Sequence, residues 1–216
     1  MSPDAVDRGM RRQLAERDAR VAAGARQVGW KLGFGSPAGL AALGIDRPLV
    51  GYLLDEGLLA DGATVDLAGW RNPMLEGELA VHVGPGETIA GVSAAIELAD
   101  LYPPPEDVEE ILAGDVFTRH VLVGPVVPGR TDSAGVVATV LVDGAEVAAT
   151  DDVSRLVGTL ADATRSAAAT LADHAEALRD GEFLMTGSVL PPMPVRPGQL
   201  VEVRLPPLGT LSLAFA

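Results

Sequence analysis

The sequence predicts a β-rich α+β fold, and three observations lead to that class. Several short segments combine branched apolar residues with alternation or short apolar runs, which is typical of strands. A smaller number of segments have apolar residues at helical spacing and end at glycine. Asp143-Gly144 separates two apolar segments, which indicates a tight antiparallel hairpin. With 216 residues and no repeat or linker, the chain suits a single domain.

Helices are expected in four places. The first begins at Ser2 and Pro3, which are typical of a cap and a first helical residue, and runs to about Gly24. The fourth is long enough that a break is expected within it; it mixes leucine with alanine on one face and is expected to pack that face on the sheet. The second and third predicted helices cover residues 92–101 and 105–113, and the fourth covers residues 152–180.

Strands account for most of the remaining pattern. A short glycine-rich strand or turn is expected at residues 29–35, where glycine lets the backbone approach a neighbour closely. A second chain reversal is expected at Leu208-Gly209. Further strands are predicted at residues 79–83, 121–127, 136–142 and 200–205.

The charge balance excludes several classes of partner. Acidic residues outnumber basic ones by 30 to 16, so the formal charge of -14 repels nucleic acids and anionic membranes. Cysteine is absent, which excludes disulfides and thiolate metal sites and favours a reducing cytoplasm. Residues 1–26 carry too many charges for a signal peptide, and no apolar stretch is long enough to span a bilayer.

Lys31 is the only lysine, because every other basic residue is arginine. A partly buried lysine can shift its pKa and exchange a proton, whereas arginine remains a fixed cation. The asymmetry therefore marks Lys31 as a candidate catalytic residue. The alternative is a codon bias toward arginine that left one lysine by chance.

Glu76 and Glu78 form a candidate metal site. Side chains alternate along a strand, so two glutamates two positions apart point to the same face. Carboxylates held that close repel unless a cation lies between them, and oxygen ligands without cysteine favour Mg²⁺ or Mn²⁺. The alternative is an exposed edge strand whose glutamates face water.

Glu97 is the candidate third ligand, since it lies in an apolar stretch where an unpaired charge is costly. The alternative reading places it on the polar side of a helix. His82 is too far along its strand from Glu78 to share an ion, and His120 and His174 are expected to be structural.

Several blocks follow one another in a recognisable order along the chain. They are Gly29-Trp30-Lys31-Leu32-Gly33, Gly51-Tyr52-Leu53-Leu54, Pro73 to Ala80, Ile96-Glu97-Leu98-Ala99-Asp100, Gly181 to Ser188, and the tail from Val195. In this order they resemble the 2-keto-4-pentenoate hydratase branch of the fumarylacetoacetate hydrolase superfamily, and the resemblance covers residues 28 to 216.

The resemblance implies a rolled, mixed β-sheet with flanking helices, a catalytic domain over residues 28–216 behind a helical segment at 1–27, and a homo-oligomer. It also implies Mg²⁺ or Mn²⁺ bound by Glu76, Glu78 and Glu97, with Lys31 in the active site. Two departures stand out. The interval from Glu78 to Glu97 is shorter than in the family, and Ala113-Gly114-Asp115-Val116 lacks the asparagine of the family block.

The expected activity is hydration of a 2-hydroxydienoic acid, a tautomer of a small 2-oxo acid, through an enolate stabilised by the metal. Decarboxylation of a 2-oxo diacid and carbon-carbon hydrolysis of an acylpyruvate remain open, although no histidine precedes His82 to serve that hydrolase. A non-catalytic subunit in a complex with a pathway enzyme is a further alternative. The expected substrate-binding residues are Ser36, Leu75, Asp115, Thr186 and Ser188.

Overall fold

The computed structural model describes residues 3–104 and 106–216. Two β-sheets form the framework of this part of the chain. In chain order the helices and strands are α1 (Pro3–Ala22), β1 (Gln27–Gly33), α2 (Pro37–Leu43), β2 (Leu49–Leu54), β3 (Thr64–Val65), β4 (Pro73–Gly84), β5 (Thr88–Asp100), α3 (Val108–Ala113), β6 (Thr118–Val123), β7 (Val127–Pro128), β8 (Ala138–Val142), β9 (Ala145–Thr150), α4 (Ser154–Val157), α5 (Leu160–Ala172), β10 (Phe183–Ser188), β11 (Met193–Pro194), β12 (Leu200–Arg204) and β13 (Thr210–Phe215).

The larger sheet has eight strands, six of which follow the order β2-β1-β10-β4-β5-β6. Strands β1 and β10 are parallel and the other pairs are antiparallel, so the sheet is mixed. The smaller sheet has the order β3-β13-β12-β8-β9. The prediction of a β-rich α+β fold with a curled, mixed sheet is confirmed.

The main core lies between the two sheets and depends on the alternation of side chains along β4. Leu75, Leu79 and Val81 share one buried cluster with residues of the smaller sheet, such as Val203. Gly77 belongs to the same face, and a Cβ there would stand 3.0 Å from a methyl of Val203. The β4 residues that alternate with these therefore point away from this core.

Most predicted elements are confirmed, with shifted ends. The Asp143-Gly144 turn joins β8 to β9 with positive φ at both residues, and the second reversal joins β12 to β13. The first helix ends at Ala22, and α3 begins after an Asp107 cap. Ser2 and Pro105, which were expected to start these helices, lie outside the described residues. No helix in residues 3–104 and 106–216 has the length and hydropathy of a transmembrane segment.

The predicted helix at residues 152–180 is broken. A turn of helix, α4, ends at Gly158, whose φ of 70° is left-handed, and α5 then starts from a Thr159 cap. The helix stops at Ala172, well before residue 180. The buried residues Leu160, Ala163, Thr164, Ala167, Thr170 and Leu171 form the inner face of α5.

The predicted helix at residues 92–101 is wrong, because this segment is part of β5. The alanine-rich run suggested a helix, but β5 is a central strand that pairs with β4 on one side and β6 on the other. Both of its faces are buried, so apolar residues follow one another without the polar positions of an exposed strand. Sheet pairing therefore overrides the local helix preference of alanine.

Replacing Gly29 with alanine is expected to destabilise the fold. An added Cβ would lie 2.0 Å from the Phe183 carbonyl oxygen, where β1 pairs with β10. Overpacking of this kind costs about 1–3 kcal/mol. Denaturant unfolding should show this loss, while the matched variant Gly57→Ala, whose new Cβ would have its nearest neighbour at 3.5 Å, should remain close to wild type. Equal midpoints for the two variants would contradict the close approach.

Candidate metal centre and active-site cavity

Three carboxylates converge on the face of the larger sheet that points away from the main core. Glu76 on β4 is the cross-strand partner of Glu97 on β5, and Glu78 follows two residues later on the same face. Carboxylate oxygens of all three lie within 4.8 Å of one another. Glu78 and Glu97 are fully buried, whereas Glu76 is partly exposed.

Lys31 reaches this cluster from β1, three strands away from β5 in the sheet order. Three strand spacings correspond to about 14 Å in a flat sheet, beyond the reach of one lysine. The curl of the sheet and the length of the side chain together place Lys31 Nζ 2.8 Å from Glu97 Oε1. The same ammonium donates a hydrogen bond to the Val116 carbonyl oxygen at 3.0 Å.

Neighbouring groups orient the carboxylates. The Gly187 amide donates to Glu78 Oε2 at 2.9 Å, and it does so from a register shift in β10 that lies beside β4. Such bulges re-aim backbone groups and are frequent near active sites. The Thr118 hydroxyl donates to Glu97 Oε1 at 2.9 Å. Glu78 Oε1 is buried and has no hydrogen-bond partner among the residues that the structure describes.

The pKa values of the clustered residues are shifted because several negative charges are close together in a buried environment. Burial, with repulsion from Glu97, raises the pKa of Glu76 to about 7, although Lys31 and Ser188 oppose the shift. Burial and the other two carboxylates also raise the pKa of Glu78. Burial by itself would lower the pKa of Lys31, but attraction to the three carboxylates outweighs it, and the pKa is raised.

The residues present fit a hard divalent cation. One ammonium cannot balance three carboxylates, and the unpartnered Glu78 oxygen is a buried acceptor that a cation would satisfy. All the donors are oxygen atoms, which suits Mg²⁺, Mn²⁺ or Ca²⁺ rather than zinc or copper.

A cavity of about 420 Å³ opens beside the cluster, a volume suited to a small organic acid. Lys31 and Glu76 line it, and Lys31 is the only cationic residue among its described lining. Most of the wall is apolar and comes from α4, α5 and the loops around β1 and β10. The apolar lining includes Leu32, Phe34, Pro48, Leu101, Val116, Leu156, Val157, Ala163, Leu190, Pro191 and Pro192.

Three of the five predicted substrate-binding residues line this cavity. Ser36 caps α2 by accepting a hydrogen bond from the Gly39 amide, and Thr186 donates to the Leu79 carbonyl oxygen at 3.1 Å. Ser188 also lines it, and its hydroxyl donates to the Leu190 carbonyl oxygen.

Leu75 and Asp115 do not line the cavity. Leu75 precedes Glu76 on β4, so alternation turns its side chain into the main core, where it is 1% exposed. Asp115 accepts a hydrogen bond from the Tyr52 amide at 2.9 Å and lines a separate pocket of about 40 Å³. Burial raises the pKa of Asp115 despite attraction from Lys31.

Sequence reasoning missed part of the cavity wall. Leu156 and Val157 come from α4 and Asp162 from the first turn of α5, on either side of a break whose position was not predicted. The Gly158 at that break was the available signal. Val116 was not expected to contact Lys31, and nothing in its local sequence indicates that contact.

Known proteins resemble this chain over nearly its whole length. A 4-oxalocrotonate decarboxylase of Pseudomonas putida is 28% identical, with 95% of this chain and 81% of the relative covered. A 2-hydroxyhexa-2,4-dienoate hydratase of Comamonas testosteroni is 30% identical, with coverages of 91% and 81%. A search against family models found no match.

Solved structures agree with the sequence relatives. The 4-oxalocrotonate decarboxylase of Pseudomonas putida G7, complexed with magnesium and adipate, superimposes with a TM-score of 0.85 at 26% identity, covering 94% of this chain and 83% of the other. Fumarylpyruvate hydrolase of Pseudomonas aeruginosa, with Mn²⁺ and pyruvate, shares the fold at 16% identity and a TM-score of 0.67, with coverages of 88% and 89%.

The fold is therefore that of the fumarylacetoacetate hydrolase superfamily. Within it, the chain belongs to the branch that contains the 2-keto-4-pentenoate hydratases and the 4-oxalocrotonate decarboxylases. The predicted resemblance is confirmed, and the protein is a metal-dependent enzyme of that class.

The metal-free protein is expected to become less stable as pH rises from about 5 to about 8. The pKa of Glu76 lies near 7 in the folded state against an ordinary value of 4.5, so the folded chain binds more protons than the unfolded chain across that window. Raising the pH then favours unfolding. Thermal melting should show a lower midpoint at the higher pH, and Mg²⁺ should stabilise more there, because the carboxylates are ionised.

The variant Glu76→Gln is the control, since it cannot lose the proton and should show a weaker pH dependence and a smaller shift with Mg²⁺. A wild-type midpoint that does not respond to Mg²⁺ at either pH would argue against a metal site at these carboxylates.

Proposed function

We propose that this enzyme is a divalent-metal-dependent hydratase of small 2-hydroxydienoic acids, with 2-hydroxypenta-2,4-dienoate as the model substrate. The observation that carries the proposal is the position of Lys31 and Glu76 in the lining of a mostly apolar cavity, with carboxylate oxygens of Glu78 and Glu97 within 4.8 Å of one of Glu76. The 2-oxo acid group would bind at Lys31 and Glu76. The apolar remainder accommodates the hydrocarbon tail.

Glu76, Glu78 and Glu97 are the residues that would hold Mg²⁺ or Mn²⁺. The bound cation would supply a Lewis acid that stabilises the negative charge developing on the 2-oxo oxygen. Gly187 and Thr118 keep Glu78 and Glu97 oriented through the hydrogen bonds described above. These two groups leave the remaining carboxylate oxygens directed toward the shared volume.

Lys31 is proposed to hold the substrate carboxylate or to carry a proton at its Nζ atom. An ammonium has three N–H donors, and Glu97 and Val116 accept two of them. The raised pKa keeps the group protonated at neutral pH, so it acts as a cation and proton donor. The third donor is available to the substrate.

Hydration requires a proton to leave the 2-hydroxyl group while the terminal alkene carbon gains one. Water then adds to the conjugated alkene, its oxygen bonding to carbon while its proton goes to the neighbouring carbon. The net change is the addition of one water. Thr186 and Ser188 would bind the substrate or this water, a role supported by the position of both residues in the cavity lining.

The apolar lining favours a hydratase over a decarboxylase. A 2-oxo diacid carries a second carboxylate, which would be desolvated far from the polar end of the cavity. Lys31 is the only cation in the described lining, and the other charged residues there, Glu76 and Asp162, are acidic. A substrate with an uncharged tail fits this distribution better.

Decarboxylation of a 2-oxo diacid is the second candidate. Its support is that several relatives are 4-oxalocrotonate decarboxylases and that a structural neighbour contains adipate, a diacid. Loss of carbon dioxide would leave its electron pair in the same conjugated oxo acid system. The two activities must therefore be distinguished by identifying the product.

Incubation with 2-hydroxypenta-2,4-dienoate is expected to yield a product heavier by one water, detected by mass spectrometry. A 2-oxohexenedioate offered in parallel is expected to persist. The reaction should stop after chelation and resume with Mg²⁺ or Mn²⁺. Loss of carbon dioxide from the diacid as the faster reaction would favour the decarboxylase, and full turnover in chelator would contradict the metal-dependent mechanism.

Lys31→Met is expected to lower kcat of the metal-loaded enzyme by about 10²–10⁴-fold. Methionine is nearly as long as lysine but supplies neither the proton donor nor the positive charge. Lys31→Arg serves as the matched control that keeps the charge and should retain more activity. Steady-state kinetics would measure both, with circular dichroism to verify folding. A folded Lys31→Met protein with wild-type kcat would exclude this role.

A further inference from the structure

The turn that precedes β6 has an unusual backbone. Asp115, Val116 and Phe117 are consecutive non-glycine residues with φ angles of 53°, 51° and 66°. The left-handed region is costly for such residues, and most of all for a β-branched valine. Three in succession persist only where surrounding contacts hold them. The turn therefore needs an anchor.

One result of this conformation is the contact between Val116 and Lys31. The Val116 carbonyl oxygen accepts the 3.0 Å hydrogen bond from Lys31 Nζ, the same atom that lies 2.8 Å from Glu97 Oε1. Gly33 makes room for the turn, because a Cβ at that position would stand 2.6 Å from a Val116 methyl. The turn is thus packed directly against the strand that carries the lysine.

Asp115 supplies the anchor from the other side. Its Oδ1 accepts the 2.9 Å hydrogen bond from the Tyr52 amide of β2, which joins the turn to the sheet. The preceding residue, Gly51, lacks the Cβ that would lie 2.9 Å from the same oxygen and 3.2 Å from Lys31 Cγ. Asp115 and the lysine side chain therefore share the space above one glycine.

We infer that Asp115 is a positioning residue: by binding the Tyr52 amide it holds the left-handed turn whose Val116 carbonyl fixes the Lys31 ammonium beside Glu97. The effect on turnover rests on the proposed function, whereas the effect on the ammonium does not. Asp115 lines a pocket separate from the active-site cavity, which agrees with an action through Lys31 rather than on the substrate.

The single lysine makes the inference directly measurable. Protein grown with ¹⁵N-lysine has one side-chain ammonium resonance, and in the Mg²⁺-loaded wild type this signal should exchange slowly, because Lys31 is buried and bonded on two sides. In Asp115→Ala the resonance should shift and broaden, and kcat should fall about 10- to 100-fold, with a smaller change in KM.

Asp143→Ala is the matched control. Asp143 is also a left-handed non-glycine residue, with φ of 50°, whose Oδ1 accepts a backbone hydrogen bond from Leu200 at 2.9 Å. It lies in the β8–β9 turn of the smaller sheet, so its loss should leave the ammonium resonance and kcat unchanged. A change equal to that of Asp115→Ala would show a general loss of stability and overturn the inference.

Asp115→Asn is the rescue variant, since its amide oxygen can still accept from Tyr52 and asparagine tolerates the left-handed conformation. It should keep the wild-type ammonium resonance, and this variant decides the matter if Asp115→Ala does not fold. An unchanged resonance in a folded Asp115→Ala protein, or its loss in Asp115→Asn, would overturn the inference. If no variant or wild type turns over a 2-oxo acid, the proposed function fails while the resonance still tests the role of Asp115.

Discussion

The structure depends on one electrostatic constraint, the burial of three carboxylates in a single small volume. Charges of one sign in a medium of low polarity are unstable unless they take up protons or meet cations. In this protein Lys31 supplies one positive charge, and the surplus negative charge remains for a divalent ion. Neighbouring features of the site, including the Gly187 bulge and the Thr118 hydroxyl, arrange the carboxylates around that surplus.

The β4–β5 hairpin shows how the chain meets this constraint in few residues. The two strands are joined by the short turn Pro85–Glu87, so Glu97 returns opposite Glu76. The short interval between Glu78 and Glu97 thus reflects a tight hairpin, and it leaves the third carboxylate beside the first two. Gly77, between the two glutamates, lets β4 pack closely on the second sheet. One strand therefore serves the core on one face and the site on the other.

The cavity beside the site is lined by two kinds of element. Lys31 and Glu76 line it from strands β1 and β4, while much of its apolar wall comes from loops and from α4 and α5. Such walls vary more readily than strands do. A charged part carried by strands and a more variable apolar wall are consistent with a branch whose members include both hydratases and decarboxylases.

The sequence by itself determined the fold class and the two hairpin turns, and it identified the three glutamates and the single lysine as candidate site residues. These features depend on local pattern and residue chemistry. The helix predicted in the region of β5 was wrong, since a central strand with two buried faces lacks a polar side, and alanine-rich segments favour helices locally. Leu75 was also assigned to the substrate, whereas strand alternation turns that side chain into the core. Only the tertiary structure decided that Lys31 meets Glu97 and Val116, because that contact joins residues far apart in the chain and exists only once the sheet has curled.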